Sequence, residues 1–471
     1  MKKTTLVSLL ILNTILTGCG KGSTGGGAGA SKWKKTQVGG TPILLEKQDQ
    51  SCIATFSTGE EITFYLNQFL DASSQLTEIS FTNQVRNNYV ESIKKAPITA
   101  MKYETTVNYE IVAEYDEDDD TVKLISDSGL VVKEEGAGLN VCPSTSIYRE
   151  NSYEAAGLNI SHSITKAYDA VSEAMPSINL PAIKVYVAPS ISYIKKIINE
   201  DGNYQFDQTM TDNAFYYSEL NMISFLPESE EHKMEAPLWE IPMVGAHEYG
   251  HHVFHTLIGQ NIKGQLKTSL GCFKNHHGIG HVQHNFMDTR DTSAKGFTLG
   301  AINEGFADLI AFYSLESKEG SLAGVSCMDK NRVVTSSSFA DGTTKDFSWS
   351  ARYDMDKSYE SEADSDCKTP NYQEIHDVGA IFAHIADKLM SKVLDSKADK
   401  LKSLLKYAKL HNSNLEDLSE LKPSSYMYKT LQLLYKAALN ESGVSQTSSE
   451  KYCQDINEHF SSYWSKKCEL L

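Results

Sequence analysis

The chain has 471 residues, with 44 Lys and Arg against 61 Asp and Glu, and therefore a formal net charge of −17. Its hydrophobic fraction of 40% is enough to build a core, which argues against a wholly disordered protein. The negative balance excludes a nucleic-acid-binding protein, because binding to phosphates needs a basic surface. A chain of this length predicts two or three domains of about 150 residues or more.

The N-terminus has the pattern of a secretory signal. Two lysines precede an apolar stretch from Leu6 to Leu16, which is too short to span a bilayer. The stretch ends in Leu-Thr-Gly-Cys19, which resembles the lipobox of bacterial lipoproteins. The resemblance implies that residues 1–18 are a signal peptide and that a lipid on Cys19 attaches the protein to the membrane. The alternative is an ordinary secretory signal with an incidental cysteine.

Residues 19–32 combine this cysteine with a Gly- and Ser-rich sequence, which predicts a flexible tether. By comparison with lipoproteins, Gly20 after the cysteine favours the outer membrane, so the predicted location is the bacterial cell envelope. No later stretch of the sequence has the eighteen consecutive apolar residues typical of a transmembrane helix.

Seven cysteines remain if Cys19 carries a lipid, so at least one of them stays outside a disulfide. An oxidising compartment favours disulfides. Cys453 could pair with Cys468, and Cys52 with Cys142, but the sequence alone leaves the pairing open.

The sequence pattern changes near residue 150. Before it, residues 33–150 are predicted to form a β-rich domain, either accessory or propeptide-like. Apolar and polar residues alternate there in the stretches 54–66, 105–115 and 121–134. The acidic run Glu114–Asp120 lies between two of these stretches and is interpreted as a hairpin loop, with calcium binding as the alternative.

Residues 151–471 have a mixed pattern that becomes helical towards the end. The periodicity predicts a helix over 159–175, a buried strand within 181–189, and a helical lobe over 376–471. The predicted fold class is α+β, with a β-rich N-terminal domain followed by a mixed sheet and a helical C-terminal lobe.

One motif has the spacing of a metal site. His247, Glu248 and His251 form an HExxH sequence in a stretch with helical periodicity. Residues four apart share one face of a helix, so the two imidazoles can bind one metal ion. Glu248, at the edge of that face, can transfer a proton to and from the reacting groups.

A second segment supplies candidates for the third ligand that a catalytic zinc site requires. Asn303, Glu304 and Asp308 lie among apolar residues in a predicted amphipathic helix. Glu304 could reach the metal, and Asp308 could accept a hydrogen bond from the other ring nitrogen of a liganding histidine. Burying these polar groups costs free energy unless they are satisfied, and a metal site would satisfy them.

The two segments HEYGH and NEGFAD together resemble the gluzincin metallopeptidases, most closely the thermolysin-like ones. The resemblance implies a thermolysin-like catalytic domain over residues 151–471 with one Zn²⁺ ion. Structural Ca²⁺ is a further implication, but no segment of this chain has a clear calcium motif. The implied site consists of the zinc ligands His247, His251 and Glu304, the general base Glu248, Asp308, which orients His247, and Asn303 beside them.

Two further segments fit the same family. Asn213 and Ala214 begin an NAFY sequence that resembles the family's NAFW edge strand, which implies that they hold the substrate peptide as an added strand. His376 resembles the later histidine that stabilises the developing oxyanion, and a helix-start histidine without catalytic duty is the alternative. The metzincins are excluded, because they need Gly and His where this chain has Phe254 and Leu257.

The expected function is therefore a zinc-dependent endopeptidase, tethered to the cell envelope, with peptide or protein substrates. The alternative is a non-catalytic zinc-binding lipoprotein that recognises a peptide or protein partner, although the presence of Glu248 favours the enzyme. The histidine-rich stretch His276–His284 either packs beside the cleft or holds a second metal. His252 and His255 are expected to be structural.

Overall fold

In the residues that the structure describes, strands and helices occur in similar measure. A computed structural model describes residues 42–48, 51–56, 61–70, 76–83, 97–116, 121–138, 153–199, 202–211, 213–227, 238–240, 242–259, 294–315, 375–414, 423–443 and 454–455. The strands are β1 (Pro42–Gln48), β2 (Ser51–Phe56), β3 (Glu61–Leu70), β4 (Leu76–Asn83), β5 (Ile98–Tyr103), β6 (Thr106–Asp116), β7 (Thr121–Glu134), β8 (Ile183–Val187), β9 (Ser190–Asn199), β10 (Gly202–Thr209), β11 (Ala214–Tyr217) and β12 (Met222–Phe225). The α-helices are α1 (Tyr153–Ala174), α2 (Pro242–Phe254), α3 (Ala294–Ser314), α4 (Ile375–Ser391), α5 (Lys397–Ser413) and α6 (Pro423–Ser442). The predicted α+β class is confirmed.

The strands form two mixed sheets. The first sheet has the order β1-β2-β3-β4-β5-β8-β12-β11, and the second has the order β10-β9-β6-β7. Strand β8 runs parallel to both β5 and β12, and β6 runs parallel to β9. Each sheet therefore joins strands from before and after residue 150, so the change of sequence pattern at that residue does not separate the sheets.

Strands β8 and β11 of the first sheet present alternate side chains to two different cores, as the period of two in a strand requires. On β8, Val185 faces the helices, whereas Tyr186 faces the second sheet. On β11, Tyr216 faces the helices and Tyr217 faces the second sheet. Around β8 and β11 the first sheet is therefore the middle layer, with the second sheet on one side and the helices on the other.

The helical layer contains α2 and α3, the helices that carry the two motif segments. Pro242 is the first residue of α2, a position where its missing N–H costs no hydrogen bond. Apolar residues of α3, such as Ile302 and Phe306, are fully buried, and Phe306 packs edge-on against Phe254 at 5.4 Å between ring centroids. This packing holds the HExxH segment between the sheet and the other helices.

The predicted elements agree with the structure in kind and differ at their ends. The buried strand expected within 181–189 is β8, and the helix expected over 159–175 begins six residues earlier, at Tyr153. The segment beyond residue 376 is helical in α4, α5 and α6, as predicted. The acidic run starts inside β6, because Glu114 and Asp116 pair with β7 in an antiparallel hairpin.

Several predictions concern residues outside the described ranges. They include the signal peptide, Cys19 and its tether, the histidine-rich stretch His276–His284, and the cysteines except Cys52, whose backbone lies in β2. The signal, the lipid anchor and the disulfide pairs therefore stay predictions.

Candidate metal centre

Helices α2 and α3 cross at very short range. A Cβ atom added to Gly250 would lie 2.6 Å from the Cα atom of Ala307. His247 contacts Asp308, and four residues later His251 contacts Glu304, so the two helices run antiparallel. The absence of a side chain at position 250 is what allows residues on the two helices to meet directly.

His247 and His251 project from one face of α2. Their ring centroids are 4.5 Å apart, and the ring planes are inclined by 85°. One ligand atom from each of His247, Glu248 and His251 can be chosen so that all three lie within 4.8 Å of one another, and all three residues are buried. This group of side chains could bind a metal ion.

Glu304 on α3 faces both imidazoles. One of its carboxylate oxygens lies 3.3 Å from Nε2 of His247, and the other lies 3.6 Å from Nε2 of His251. Glu304 is 0% exposed. Burial of a carboxylate costs several kcal/mol unless its charge is balanced, and a divalent cation between these three side chains would balance it.

The other nitrogen of each imidazole is held by a side chain of α3. Nδ1 of His247 lies 2.8 Å from Oδ1 of Asp308, and Nδ1 of His251 lies 3.0 Å from Oδ1 of Asn303. Both oxygens are acceptors, and an acceptor at these distances favours the tautomer with the proton on Nδ1. In neutral imidazoles each Nε2 then presents its lone pair towards Glu304, which is the tautomer that metal binding requires.

A third helix, α4, packs directly on the backbone around Glu304. A Cβ atom on Gly379 would lie 2.5 Å from the Cβ atom of Glu304, and one on Gly305 would lie 2.3 Å from the carbonyl oxygen of Gly379. His376 is one helical turn before Gly379, near the start of α4. Its backbone is therefore close to the site, while its side chain lies outside what the structure describes.

Asn213 and Ala214 lie at the end of the described strand order, where β11 begins. The carbonyl of Asn213 accepts a hydrogen bond of 2.7 Å from the N–H of Leu226, just after β12. Neighbouring C=O and N–H groups of an extended chain point in opposite directions, so the N–H of Ala214 points away from β12. The side-chain oxygen of Asn213 accepts a hydrogen bond from this N–H at 2.9 Å.

His252, the residue after the second imidazole of the motif, points to the sheet instead of to α3. Its Nδ1 lies 3.2 Å from the hydroxyl of Tyr216 on β11. Burial lowers the pKa of His252 to about 3, so this imidazole is neutral at pH 7. The ring of His255 lies 6.1 Å from that of Tyr216. His252 at the end of α2 and His255 just after it thus both pack against β11.

Sequence reasoning missed the small residues that set these distances, namely Gly250, Ala307, Gly305 and Gly379 as contact points. Glycine and alanine occur in helices for many reasons, and a close crossing becomes visible only when the partner helix is known. It also missed the pairing of His252 with Tyr216, because the two residues are 36 positions apart.

No protein-family model matches the chain, and no curated protein matches it. None of the helices in the described ranges is long and apolar enough to cross a membrane. The functional assignment therefore depends on the chemistry and geometry of the site itself.

Proposed function

We propose that the protein is a zinc-dependent endopeptidase of the thermolysin-like gluzincin type. The observation that supports this most directly is the convergence of Nε2 of His247 and Nε2 of His251 on the two oxygens of Glu304. Glu248 lies on the same helix, next to the first imidazole, where a peptidase of this type needs its base.

The donor set supports zinc as the metal. The Nε2 atoms of His247 and His251 lie 3.3 and 3.6 Å from the two different oxygens of the Glu304 carboxylate, so both imidazoles face one carboxylate group. His247, His251 and Glu304 would hold the ion, in a set of two nitrogens and one oxygen that is typical of catalytic zinc. When bound, zinc supplies a Lewis acid that polarises the scissile carbonyl and acidifies the attacking water.

Each of the neighbouring side chains then has a role of its own. Glu248 accepts a proton from the attacking water and later donates it to the leaving amine. Asp308 and Asn303 fix the tautomers and orientations of the two imidazoles. In this proposal His376, at the start of α4, stabilises the developing oxyanion.

The edge strand β11 would bind the substrate. An extended peptide could add to β11 on the side away from β12, beyond which the described residues place no further strand, beside the Asn213 amide and the backbone of Ala214. Strand β11 packs beside α2, so a peptide added there would pass the proposed zinc ligands. Recognition by backbone pairing requires no free chain end, which supports cleavage within a chain.

The proposed location is the bacterial cell envelope, with the lipid on Cys19 as the anchor. Strands β5, β6 and β7 are hydrogen-bonded into the same two sheets as β8 and β9. Removing the segment before residue 150 would therefore take strands out of both sheets. This favours an integral accessory part over a cleaved propeptide.

The test compares wild type with Glu248→Gln and with the control Glu173→Gln, a carboxylate exposed on α1. Wild type and both variants should bind about one equivalent of zinc, measured by atomic absorption after dialysis. Wild type and Glu173→Gln should cleave an unstructured protein such as casein, whereas Glu248→Gln should be slower by about 10²–10⁴-fold, the usual contribution of a general base.

Zinc-loaded wild type that cleaves no peptide would refute the peptidase and favour a binding lipoprotein. Full activity of Glu248→Gln would refute the assignment of the base while leaving the metal site in place.

A further inference from the structure

The contact between His252 and Tyr216 joins the metal-binding helix to the proposed substrate strand. His252 Nδ1 and the Tyr216 hydroxyl are 3.2 Å apart, and the two rings meet at 5.4 Å between centroids with an inclination of 65°. Both side chains are almost completely buried. A hydrogen bond in this setting has no competing water, so it constrains the two elements strongly.

The contact continues into the turn that follows β11. The Tyr216 hydroxyl donates to Oδ1 of Asn221 at 3.2 Å, and Nδ2 of Asn221 donates to the carbonyl of Ala182 at 2.6 Å. Asn221 has a positive φ of 48°, a conformation that asparagine tolerates better than most residues. The Tyr216 hydroxyl thus lies between His252 on α2 and Asn221 in this turn.

The contact between His252 and Tyr216 lies next to a proposed zinc ligand on α2 and next to the proposed peptide-binding residues on β11. His252 directly follows the proposed zinc ligand His251, and Tyr216 is two residues after Ala214 on the same face of β11. Two residues along a strand span about 6.6 Å, so the link lies within one side-chain length of the point where the peptide would pair.

We infer that the His252–Tyr216 hydrogen bond is a positioning contact that sets the distance between strand β11 and the zinc ligands on α2. This rests on the proposed function, and it adds two residues to it. A substrate strand paired with β11 takes its position from β11, whereas the attacking group takes its position from α2. A shift between the two elements misaligns the scissile bond even though peptide and metal both still bind. A misplacement of about 1 Å can lower the rate of a reaction about 100-fold.

The same chain contains a second buried tyrosine–histidine pair that serves as a matched control. In the helical lobe, Nε2 of His411 on α5 lies 2.8 Å from the hydroxyl of Tyr426 on α6. Both residues are buried, as in the first pair. Tyr426→Phe therefore removes the same kind of hydrogen bond from a pair that touches neither the proposed ligands nor β11.

The experiment measures zinc content, Tm, kcat and KM for wild type, Tyr216→Phe and Tyr426→Phe. The substrates are a hexapeptide long enough to pair along β11 and a blocked dipeptide that spans only the scissile bond. We expect both variants to hold one zinc and to lose a similar few degrees of Tm. For the hexapeptide, Tyr216→Phe should lower kcat at least tenfold with KM within threefold, and for the dipeptide it should change kcat less than threefold. Tyr426→Phe should change kcat and KM less than twofold for either substrate.

A second comparison tests the pairing itself. His252→Phe should reproduce the loss of hexapeptide kcat, and the double variant with Tyr216→Phe should be no slower than His252→Phe alone, because both changes remove one hydrogen bond. Additive losses in the double variant would overturn the inference. A partial recovery in His252→Asn, whose amide can donate to Tyr216, would support it.

The outcomes separate this inference from the proposed function. If wild type cleaves both substrates and Tyr216→Phe behaves like Tyr426→Phe, the positioning role is refuted and the peptidase stands. Equal losses for the hexapeptide and the dipeptide would also refute it, because the effect would then not depend on β11. Zinc-loaded wild type that cleaves neither substrate would refute the peptidase, and this inference with it.

Discussion

Substitution of Gly379 by alanine tests whether α4 sets the position of the third proposed ligand. The added Cβ atom would lie 2.5 Å from the Cβ atom of Glu304, 2.9 Å from the carbonyl oxygen of Ala301 and 3.0 Å from the backbone nitrogen of Gly305. Carbon atoms prefer separations of about 3.5–4.0 Å, so α4 and α3 must separate locally by about 1 Å. None of these three atoms belongs to the flexible end of a side chain, so the strain cannot be relieved by a rotamer change.

The expected change in the free energy of unfolding is the difference between two opposing contributions. Overpacking of this kind costs about 1–3 kcal/mol, and the better helix propensity of alanine returns about 0.5–1 kcal/mol. We expect a net loss of about 1–2 kcal/mol in the free energy of unfolding, which for a chain of this length corresponds to roughly 1–3 °C in Tm. Zinc affinity should fall at least about tenfold, because the Glu304 carboxylate moves relative to both imidazoles. Calorimetry of the metal-free protein measures the first effect, and competition with a chelator measures the second.

Gly443→Ala provides the control, because nothing lies within 4 Å of a Cβ atom there. Gly443 has a φ of +71°, so alanine is strained by about 1 kcal/mol and Tm should fall. Its zinc affinity should be that of wild type. If Gly379→Ala lowers Tm but leaves zinc affinity within twofold of wild type, α4 does not position Glu304 and the reasoning is wrong.

Two other predictions concern Asp308, which contacts a proposed zinc ligand, and the buried His411. Asp308→Ala removes the acceptor 2.8 Å from Nδ1 of His247 and should weaken zinc binding about 10–100-fold in the chelator competition; unchanged affinity would show that the carboxylate does not orient the ligand. Burial lowers the pKa of His411 to about 4, from about 6.5 in the unfolded chain, so the unfolded state binds more protons between these values. The free energy of unfolding should therefore fall by about 3 kcal/mol as pH drops from above 6.5 to below 4. This component should be missing in His411→Gln, and identical urea-unfolding profiles of the two proteins against pH would contradict it.

The parts of the fold that were predictable from sequence are those that depend on local periodicity. A spacing of four places His247 and His251 on one helical face, and the same spacing places Glu304 and Asp308 on one face of α3. The strand β8 was visible as an apolar run between prolines. These inferences need only the geometry of a single helix or strand.

The parts that were not predictable depend on which elements become neighbours. The pattern changes near residue 150, yet β5 pairs with β8 across that point, because hydrogen bonding between strands does not depend on the composition of the segments that carry them. The role of His252 was equally hidden. Its sequence position next to His251 indicates a helix residue, and only the fold shows that Tyr216 lies opposite.

Helix α2 makes three different contacts at three consecutive positions. Gly250 touches Ala307, His251 faces Glu304, and His252 reaches the sheet. Successive residues in a helix are about 100° apart, so these contacts surround much of the helix circumference. A rotation or slide of α2 that relieved one contact would break another. The three contacts together therefore fix the position of α2 relative to α3 and the sheet. The imidazoles are thus placed by contacts on both sides of the helix, and a residue turned away from the metal can influence the chemistry as strongly as a residue beside it.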